Sequence, residues 1–125
     1  MIFFWQELQK RNLGKFALDK LKISIIIPVY NEEKTIVNLQ RQLESLYGKC
    51  EIIFVDGDSM DATISLIDKK YKLFKSEKGR AAQMNKGALE SRGDVLLFLH
   101  SDSILPKKAL SQIKKVMKDY EAGCF

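Results

Sequence analysis

Short apolar runs alternate with stretches of helical periodicity along this chain from residue 23 onward. Apolar runs bounded by turn residues predict buried strands, and they occur at 24–30, 51–55 and 95–99, with a shorter segment at 72–75. After each of them, apolar side chains recur every three or four positions, which predicts a helix. This alternation is typical of a parallel sheet with right-handed crossovers and helices on both faces. We therefore predict an α/β fold with an open, mostly parallel sheet.

The predicted helices are bounded by residue types that favour helix ends. The first helix is predicted to start at Asn31, and the second to run from Asp58 or Ser59 to about Tyr71. The third helix is predicted at 81–91, and the last helix is predicted to start at Pro106.

Residues 1–22 are predicted to form an amphipathic N-terminal helix or leader ahead of an α/β domain at 23–125. Phe4 and Leu8 lie at helical spacing, although Gly14 weakens the middle of the segment. A helix packed on the domain, or a frayed leader, is the preferred interpretation, and a helix that lies on the inner face of a membrane or binds a partner is the alternative. The segment lacks the charged start of a signal peptide, and no apolar run approaches the roughly 18 residues of a spanning helix.

The 125 residues suit one domain, and their net charge of +5 is spread along the chain. Such a charge permits an anionic partner, either a nucleotide or a membrane surface, without requiring one. The chain has no basic patch interleaved with aromatic residues, which argues against nucleic-acid binding. Cys50 and Cys124 have no metal-ligand spacing and form no C-x-x-C pair, so a reduced, cytoplasmic setting fits best.

Polar residues follow each predicted strand, and open α/β sheets bind ligands at the edge where such strand ends meet. Asp56 could accept a hydrogen bond from the base or ribose of a nucleotide, or cap the next helix. Arg80 precedes a helix start, which suits a diphosphate, although a solvated loop arginine fits the same pattern. Asp102 offers a carboxylate to a divalent cation, and His100 is either a second ligand or a hydrogen-bonded histidine at a strand end.

Three segments, in this order and spacing, resemble the family 2 glycosyltransferases: SIIIPVYNEEKTI, EIIFVDGDSMDAT and GRAAQMNKGALESRGDVLLFLHSDSILP. They are most similar to the bacterial branch with a GRA-QMN-GA segment and an LH-D--LP segment, and the resemblance covers about 22–125. It implies a GT-A fold of the nucleotide-diphospho-sugar transferase type. It also implies inverting transfer of a sugar from a nucleotide-diphospho-sugar to an acceptor hydroxyl, with Mg²⁺ or Mn²⁺ as the expected cofactor.

The resemblance implies site residues at the ends of several predicted strands. It implies a nucleotide-sugar-binding set that consists of Pro28, Tyr30, Glu32, Asp56, Arg80, Asn85 and Ser101. It further implies that Asp102 is the last carboxylate of the family's D-x-D metal motif, with His100 as a candidate second metal ligand.

Three departures from the family pattern limit these expectations. His100 stands where the general pattern has an aspartate, and VDGDS replaces the common VDDGS, so that Gly57 and Asp58 are exchanged. Family members continue beyond the point where this sequence ends, and no residue in it matches the carboxylate that deprotonates the acceptor. The alternative function is therefore a non-catalytic or split-enzyme module that binds only a donor or a partner, the partner being a missing C-terminal half or a second copy of the chain.

Overall fold

The structure, a computed structural model, describes residues 2–6, 21–117 and 122–124. Strands and helices alternate through most of the described chain. The elements are β1 (Ile2–Gln6), β2 (Ile23–Val29), α1 (Ile36–Leu43) with a 3₁₀ turn (Glu44–Leu46), β3 (Glu51–Asp56), α2 (Thr63–Leu66), β4 (Lys72–Lys75), α3 (Arg80–Glu90), β5 (Val95–Leu99), α4 (Ala109–Val116) and β6 (Ala122–Cys124).

One six-stranded sheet has the order β4-β3-β2-β5-β1-β6. The four strands β4, β3, β2 and β5 run parallel to one another. β1 pairs antiparallel with β5 on one side and with β6 on the other. The predicted open, mostly parallel α/β sheet is therefore confirmed.

Successive side chains of β2 point to opposite faces of the sheet and pack into two apolar cores, one on each face. Ile25 and Ile27 pack with side chains of α1 and α4 on one face. Ile26 packs on the other face with Ile53 of β3 and with Ala88 of α3. Helices on both faces, as predicted, bury most residues of the central strands.

The helix predicted over 1–22 is wrong at Ile2–Gln6, which form β1. Ile2 pairs with Leu99 and Gln6 with Val95, so β1 covers the edge of β5. Aromatic and β-branched residues favour strands, and a ready-made ladder partner outweighs the weak stability of an isolated helix. Residues 7–20 lie outside the described part of the chain.

Two predicted helix starts are also corrected. α1 begins at Ile36 and not directly after Asn31, because residues 32–35 form a turn in which the Thr35 amide donates to the Glu32 carbonyl at 3.0 Å. Asn31, before this turn, has a φ of 48°, in the left-handed region. α4 begins at Ala109 rather than at Pro106, whose carbonyl accepts a hydrogen bond from the Ala109 amide in a preceding turn.

The second helix is much shorter than predicted. Its expected range from Asp58 or Ser59 to about Tyr71 contracts to a single turn, Thr63–Leu66. Ser59 bonds to the neighbouring loop, and Asp61 accepts both from the Glu33 amide at 3.3 Å and from the Thr63 amide at 2.9 Å. These local bonds leave an irregular connection after β3.

Candidate functional site

The loops that follow β2, β3 and β5 lie side by side at the carboxyl edge of the parallel strands. The start of α3, which follows β4, completes the same edge. Most of the residues predicted to bind a nucleotide-sugar belong to these four segments. The geometry therefore brings them to the part of an α/β sheet where ligands bind.

The first turn of α3 is joined to the end of β5 by a contact between Arg80 and His100. The Nη2 atom of Arg80 lies 3.2 Å from Nδ1 of His100. A guanidinium has only donors, so Nδ1 is the acceptor, and the proton of a neutral imidazole then sits on Nε2. Metal binding through Nδ1 and the contact with Arg80 are therefore mutually exclusive.

The surroundings of His100 favour the neutral form of its imidazole. Burial of the imidazole and the nearby guanidinium of Arg80 lower the pKa of His100, and the charges of Asp102 and Glu32 oppose that shift without cancelling it. Arg80, Asp102 and Glu32 are therefore charged side chains that influence the ionisation of His100. This end of the site thus combines the guanidinium of Arg80, the imidazole of His100 and the carboxylates of Asp102 and Glu32.

Asp56, predicted to contact the base, is fully buried at the end of β3. Its Oδ2 accepts a hydrogen bond from the Ser59 amide at 2.8 Å, and its Oδ1 accepts one from the Ser59 hydroxyl at 2.5 Å. In this arrangement the carboxylate shapes the loop, while Asp58 is exposed on that loop with a φ of 71°.

The loop after β2 is joined to the loop after β3 by hydrogen bonds, and we refer to these two as the clasped loops. The Asn31 amide donates to the Ser59 hydroxyl at 2.9 Å, and the Asn31 side-chain oxygen accepts from the Met60 amide at 2.8 Å. The Glu32 amide donates to the Thr63 hydroxyl at 2.7 Å. These bonds hold Asn31, a residue type that tolerates the left-handed region, in the loop two residues after the end of β2.

Gln83 lies three residues after Arg80 and is 5% exposed. Its side-chain nitrogen donates to the carbonyls of Val29 at 2.8 Å and Val55 at 3.0 Å. The side chain therefore lies across the ends of β2 and β3, beside Gly57.

Two more predicted residues line the approach to these strand ends. Pro28, Arg80 and His100 share the wall of a small cavity of about 60 Å³. Tyr30 is half-buried, and the ammonium of Lys78 lies 4.4 Å from the centre of its ring. A larger cavity, of about 540 Å³, lies between the 3₁₀ turn and residues 103–107 and shares Leu99 with the small cavity.

Of the remaining predicted residues, three lie in the loops at this edge of the sheet and one, Asn85, does not. Asp102 is exposed and Ser101 half-buried in the turn after β5, and a side-chain oxygen of Glu32 accepts from Thr35 at 3.2 Å. Asn85 is exposed and lies about 140° around the α3 axis from Arg80, at 100° per residue. It is not brought to the cluster, because the face of α3 that carries Gln83 packs on the sheet.

Sequence reasoning missed Gln83, Ser59 as the partner of Asp56, and Lys78. A polar residue at a sheet-facing position of a predicted helix, three residues after Arg80, is the signal that could have found Gln83. No comparable signal marks Lys78, whose position depends on how the loop after β4 folds.

The residues present fit a divalent cation that takes few protein ligands. Within the described part of the chain, no three His, Cys, Asp or Glu side chains group as a metal cluster. Asp102 nevertheless supplies one exposed carboxylate, and Mg²⁺ commonly combines one or two carboxylates with substrate phosphates and water. A cation shared between Asp102 and a bound diphosphate is compatible with this geometry.

One family model, described as glycosyl transferase family 2, matches residues 24–125. The probable glycosyltransferase YdaM of Bacillus subtilis (strain 168) is 31% identical over 117 residues, which cover 82% of this chain and 28% of that protein. UDP-Glc:alpha-D-GlcNAc-diphosphoundecaprenol beta-1,3-glucosyltransferase WfgD of Escherichia coli is 33% identical over 110 residues, which cover 82% of this chain and 44% of that protein. The chain thus spans less than half the length of these curated relatives.

The fold is also similar to that of a protein whose structure has been solved. The crystal structure of S. aureus TarS 1–349 superposes with a TM-score of 0.69 and 26% identity, over 79% of this chain and 33% of that one. The structure of the same protein in complex with UDP-GlcNAc gives a TM-score of 0.64, with 26% identity over 79% and 32% of the two chains. Among the helices that the structure describes, none has the length and apolar character needed to cross a bilayer.

Proposed function

Because this chain belongs to glycosyl transferase family 2, we propose that it forms the nucleotide-sugar-binding part of an inverting, metal-assisted glycosyltransferase. The observation that carries the proposal is the contact between Arg80 and His100 at 3.2 Å. It joins the start of α3 to the turn that holds Asp102, beside the clasped loops after β2 and β3. Cationic, carboxylate and aromatic groups suited to a diphosphate, a cation and a base therefore lie along one edge.

Each group has a proposed task in binding the donor. Arg80 would pair with the diphosphate, helped by the amides at the start of α3. Tyr30 would offer its ring to the base, and Asp56 would hold the loop that carries the exposed carboxylate of Asp58. Pro28, Glu32 and Ser101 would line the nucleotide-sugar pocket.

The donor to test first is a UDP-sugar. The printed name of the E. coli relative contains UDP-Glc, and TarS has been solved with UDP-GlcNAc. GDP is included in the test because the described residues do not distinguish the two bases.

The proposed transfer replaces one bond at the anomeric carbon by another. An acceptor oxygen attacks from the face opposite the diphosphate, and the carbon–oxygen bond to the diphosphate breaks, with its electron pair leaving on the nucleotide. Mg²⁺ or Mn²⁺ held by Asp102 would supply Lewis-acid stabilisation of that negative charge. The acceptor proton requires a base, and we assign none to the described residues.

The test is calorimetric titration of UDP and GDP into the purified chain, with and without Mn²⁺. We expect metal-dependent binding that weakens at least about tenfold in Asp102→Asn, equivalent to about 1.4 kcal/mol. Asp68→Asn is the matched control, because Asp68 is also exposed but lies before β4, at the opposite edge of the sheet. The affinity of the Asp68→Asn chain for the nucleotide should stay within about twofold of that of the unchanged chain. A folded sample that binds neither nucleotide at millimolar concentration would contradict the proposal.

A further inference from the structure

Two side chains in the first turn of α3 reach the ends of three neighbouring strands. Arg80 contacts His100 after β5, and Gln83 donates to Val29 in β2 and Val55 in β3. These strands are adjacent in the sheet, in the order β3-β2-β5. The loops that follow them carry most of the proposed donor site, so one helical turn is connected to all three.

Gln83 connects the two strands at a point where the sheet ladder is ending. The carbonyl of Val29 already accepts from the Gly57 amide at 3.0 Å, and the carboxamide of Gln83 adds a second bond to it at 2.8 Å. The third bond, to Val55, lies next to Asp56 and its buried loop contacts. The carboxamide therefore fixes the spacing of β2 and β3 where the two clasped loops depart.

The space taken by Gln83 also accounts for glycine at position 57. A Cβ atom on Gly57 would lie 2.8 Å from Cδ and 2.9 Å from Oε1 of Gln83. The described glycines with positive φ are Gly48 and Gly79, so the conformation of Gly57 does not itself require glycine. A side chain at residue 57 would therefore displace the carboxamide of Gln83, the end of a flexible side chain, from its present position.

We propose that Gln83 is a positioning residue of the donor site, which holds the ends of β2 and β3 in the register that nucleotide binding requires. The inference rests on the proposed donor-binding function. It assigns to Gln83 no contact with the nucleotide: the side chain acts through the Val29 and Val55 carbonyls and through Gly57. Exposure of only 5% agrees with a role behind the binding surface.

A second buried glutamine provides a matched control. Gln40 is 9% exposed, and its side-chain nitrogen likewise donates to two carbonyls, those of Ile36 at 3.2 Å and Leu66 at 2.9 Å. Its oxygen accepts from the Asp68 amide at 2.8 Å, away from the donor site. Gln83→Met and Gln40→Met each remove a bridging carboxamide while keeping a side chain of similar length.

The experiment combines nucleotide titration with amide hydrogen exchange on the full 125-residue chain. In Gln83→Met, we expect the UDP dissociation constant with Mn²⁺ to rise about tenfold, and the Gly57 and Ser59 amides to exchange about tenfold faster. Gln40→Met should leave both quantities within about twofold. Exchange at Gly57 and Ser59 that matches the unchanged chain, or equal losses in the two variants, would overturn the positioning role.

The two readouts separate the failure of this inference from the failure of the proposed function. If the unchanged chain binds no nucleotide, the donor-binding proposal fails, and with it the role of Gln83 in binding, whatever hydrogen exchange shows about loop order. If the unchanged chain binds and Gln83→Met binds equally well, only the role of Gln83 fails.

A substitution at Gly57 tests the same contact from its other side. Gly57→Ala should weaken UDP binding about as much as Gln83→Met does, because the new methyl group displaces the carboxamide. Adding Gly57→Ala to a Gln83→Ala background should then cost little more, since the space is open. Additive losses would show that the two residues act independently and would contradict the coupling.

Discussion

Polar side chains at the carboxyl edge of the sheet bond mainly to one another. Asp56 illustrates the consequence, because both of its carboxylate oxygens accept hydrogen bonds from Ser59 and none of its surface is exposed. From the sequence alone, nucleotide contact and helix capping were both open for this residue, and the bonds to Ser59 shape the loop instead. The choice depends on where residues 57–59 turn, which no periodicity in the sequence records. Residue identity therefore located the site, while the tasks of individual side chains needed the fold.

Glu51, at the opposite edge of the sheet, joins three segments through one carboxylate. Its oxygens accept from the Ser24 hydroxyl at 2.6 Å and the Arg92 amide at 2.8 Å, and they pair with Lys72. Burial opposes ionisation, but hydrogen bonds from Lys72, Ser24 and the Arg92 amide prevail and lower the pKa of Glu51 below 4.5. Its stabilising effect is therefore present above the unfolded-state pKa and is lost as pH falls through the lower, folded-state pKa.

We expect Glu51→Gln to reduce the free energy of unfolding by about 1–2 kcal/mol at pH 7. The difference from the unchanged chain should shrink as the pH falls below the ordinary pKa of a glutamate, measured by urea unfolding at a series of acidic pH values. Glu44→Gln is the control, because Glu44 pairs with Lys70 at 2.6 Å but its side chain is 64% exposed, against 15% for Glu51. That control should change stability by less than about 0.5 kcal/mol, and an equal loss in both variants would be the wrong result for this explanation.

At the scale of elements, strands that carry unbroken apolar runs were the most predictable part of the fold. β5 occupies the predicted residues 95–99, and the helix predicted at 81–91 is α3, shifted by one residue. Apolar periodicity reports burial, and burial is what fixes these elements. The prediction of the second helix failed because residues up to Thr63 form hydrogen bonds with the loop after β2. Such bonds join distant segments of the chain, and the periodicity of apolar residues does not reveal them.

The close approach of α3 to β2 gives a test at this scale. A Cβ atom on Gly87 would lie 2.3 Å from Cγ2 of Ile26 and 3.2 Å from Cγ2 of Val55. Although alanine is favoured over glycine in a helix by about 1 kcal/mol, overpacking at such a contact costs about 1–3 kcal/mol. Gly87→Ala should therefore lower the midpoint of urea unfolding, and less so in an Ile26→Ala background.

The control for this substitution is Leu89→Ala on the same helix. Leu89 is 83% exposed, so the change should lie within about 0.5 kcal/mol of zero. A Gly87→Ala chain more stable than the unchanged one would mean that α3 lies farther from the sheet than the structure places it.

The whole molecule differs from the predicted arrangement mainly at the β5 side of the sheet. The alternating pattern predicted the parallel strands and gave no sign that the N-terminal segment joins them. Helical and strand periods are both satisfied by a five-residue apolar segment, so pattern analysis could not decide. The strand conformation of this segment depends on the backbone hydrogen-bonding groups at the edge of β5, which lies about 90 residues away along the chain.

A proline at position 4 distinguishes the two arrangements of this segment. β1 lies between β5 and β6, and Phe4 is paired with Leu97 on one side and Gly123 on the other, so its amide faces one ladder or the other. Phe4→Pro should therefore cost about 1–3 kcal/mol more than Phe4→Ala, because only proline removes the backbone donor. In a helix that begins at the N-terminus, position 4 lies in the first turn, where proline is tolerated and the two variants should unfold alike. Urea unfolding of both variants thus separates a strand that completes the sheet from the amphipathic helix predicted by sequence.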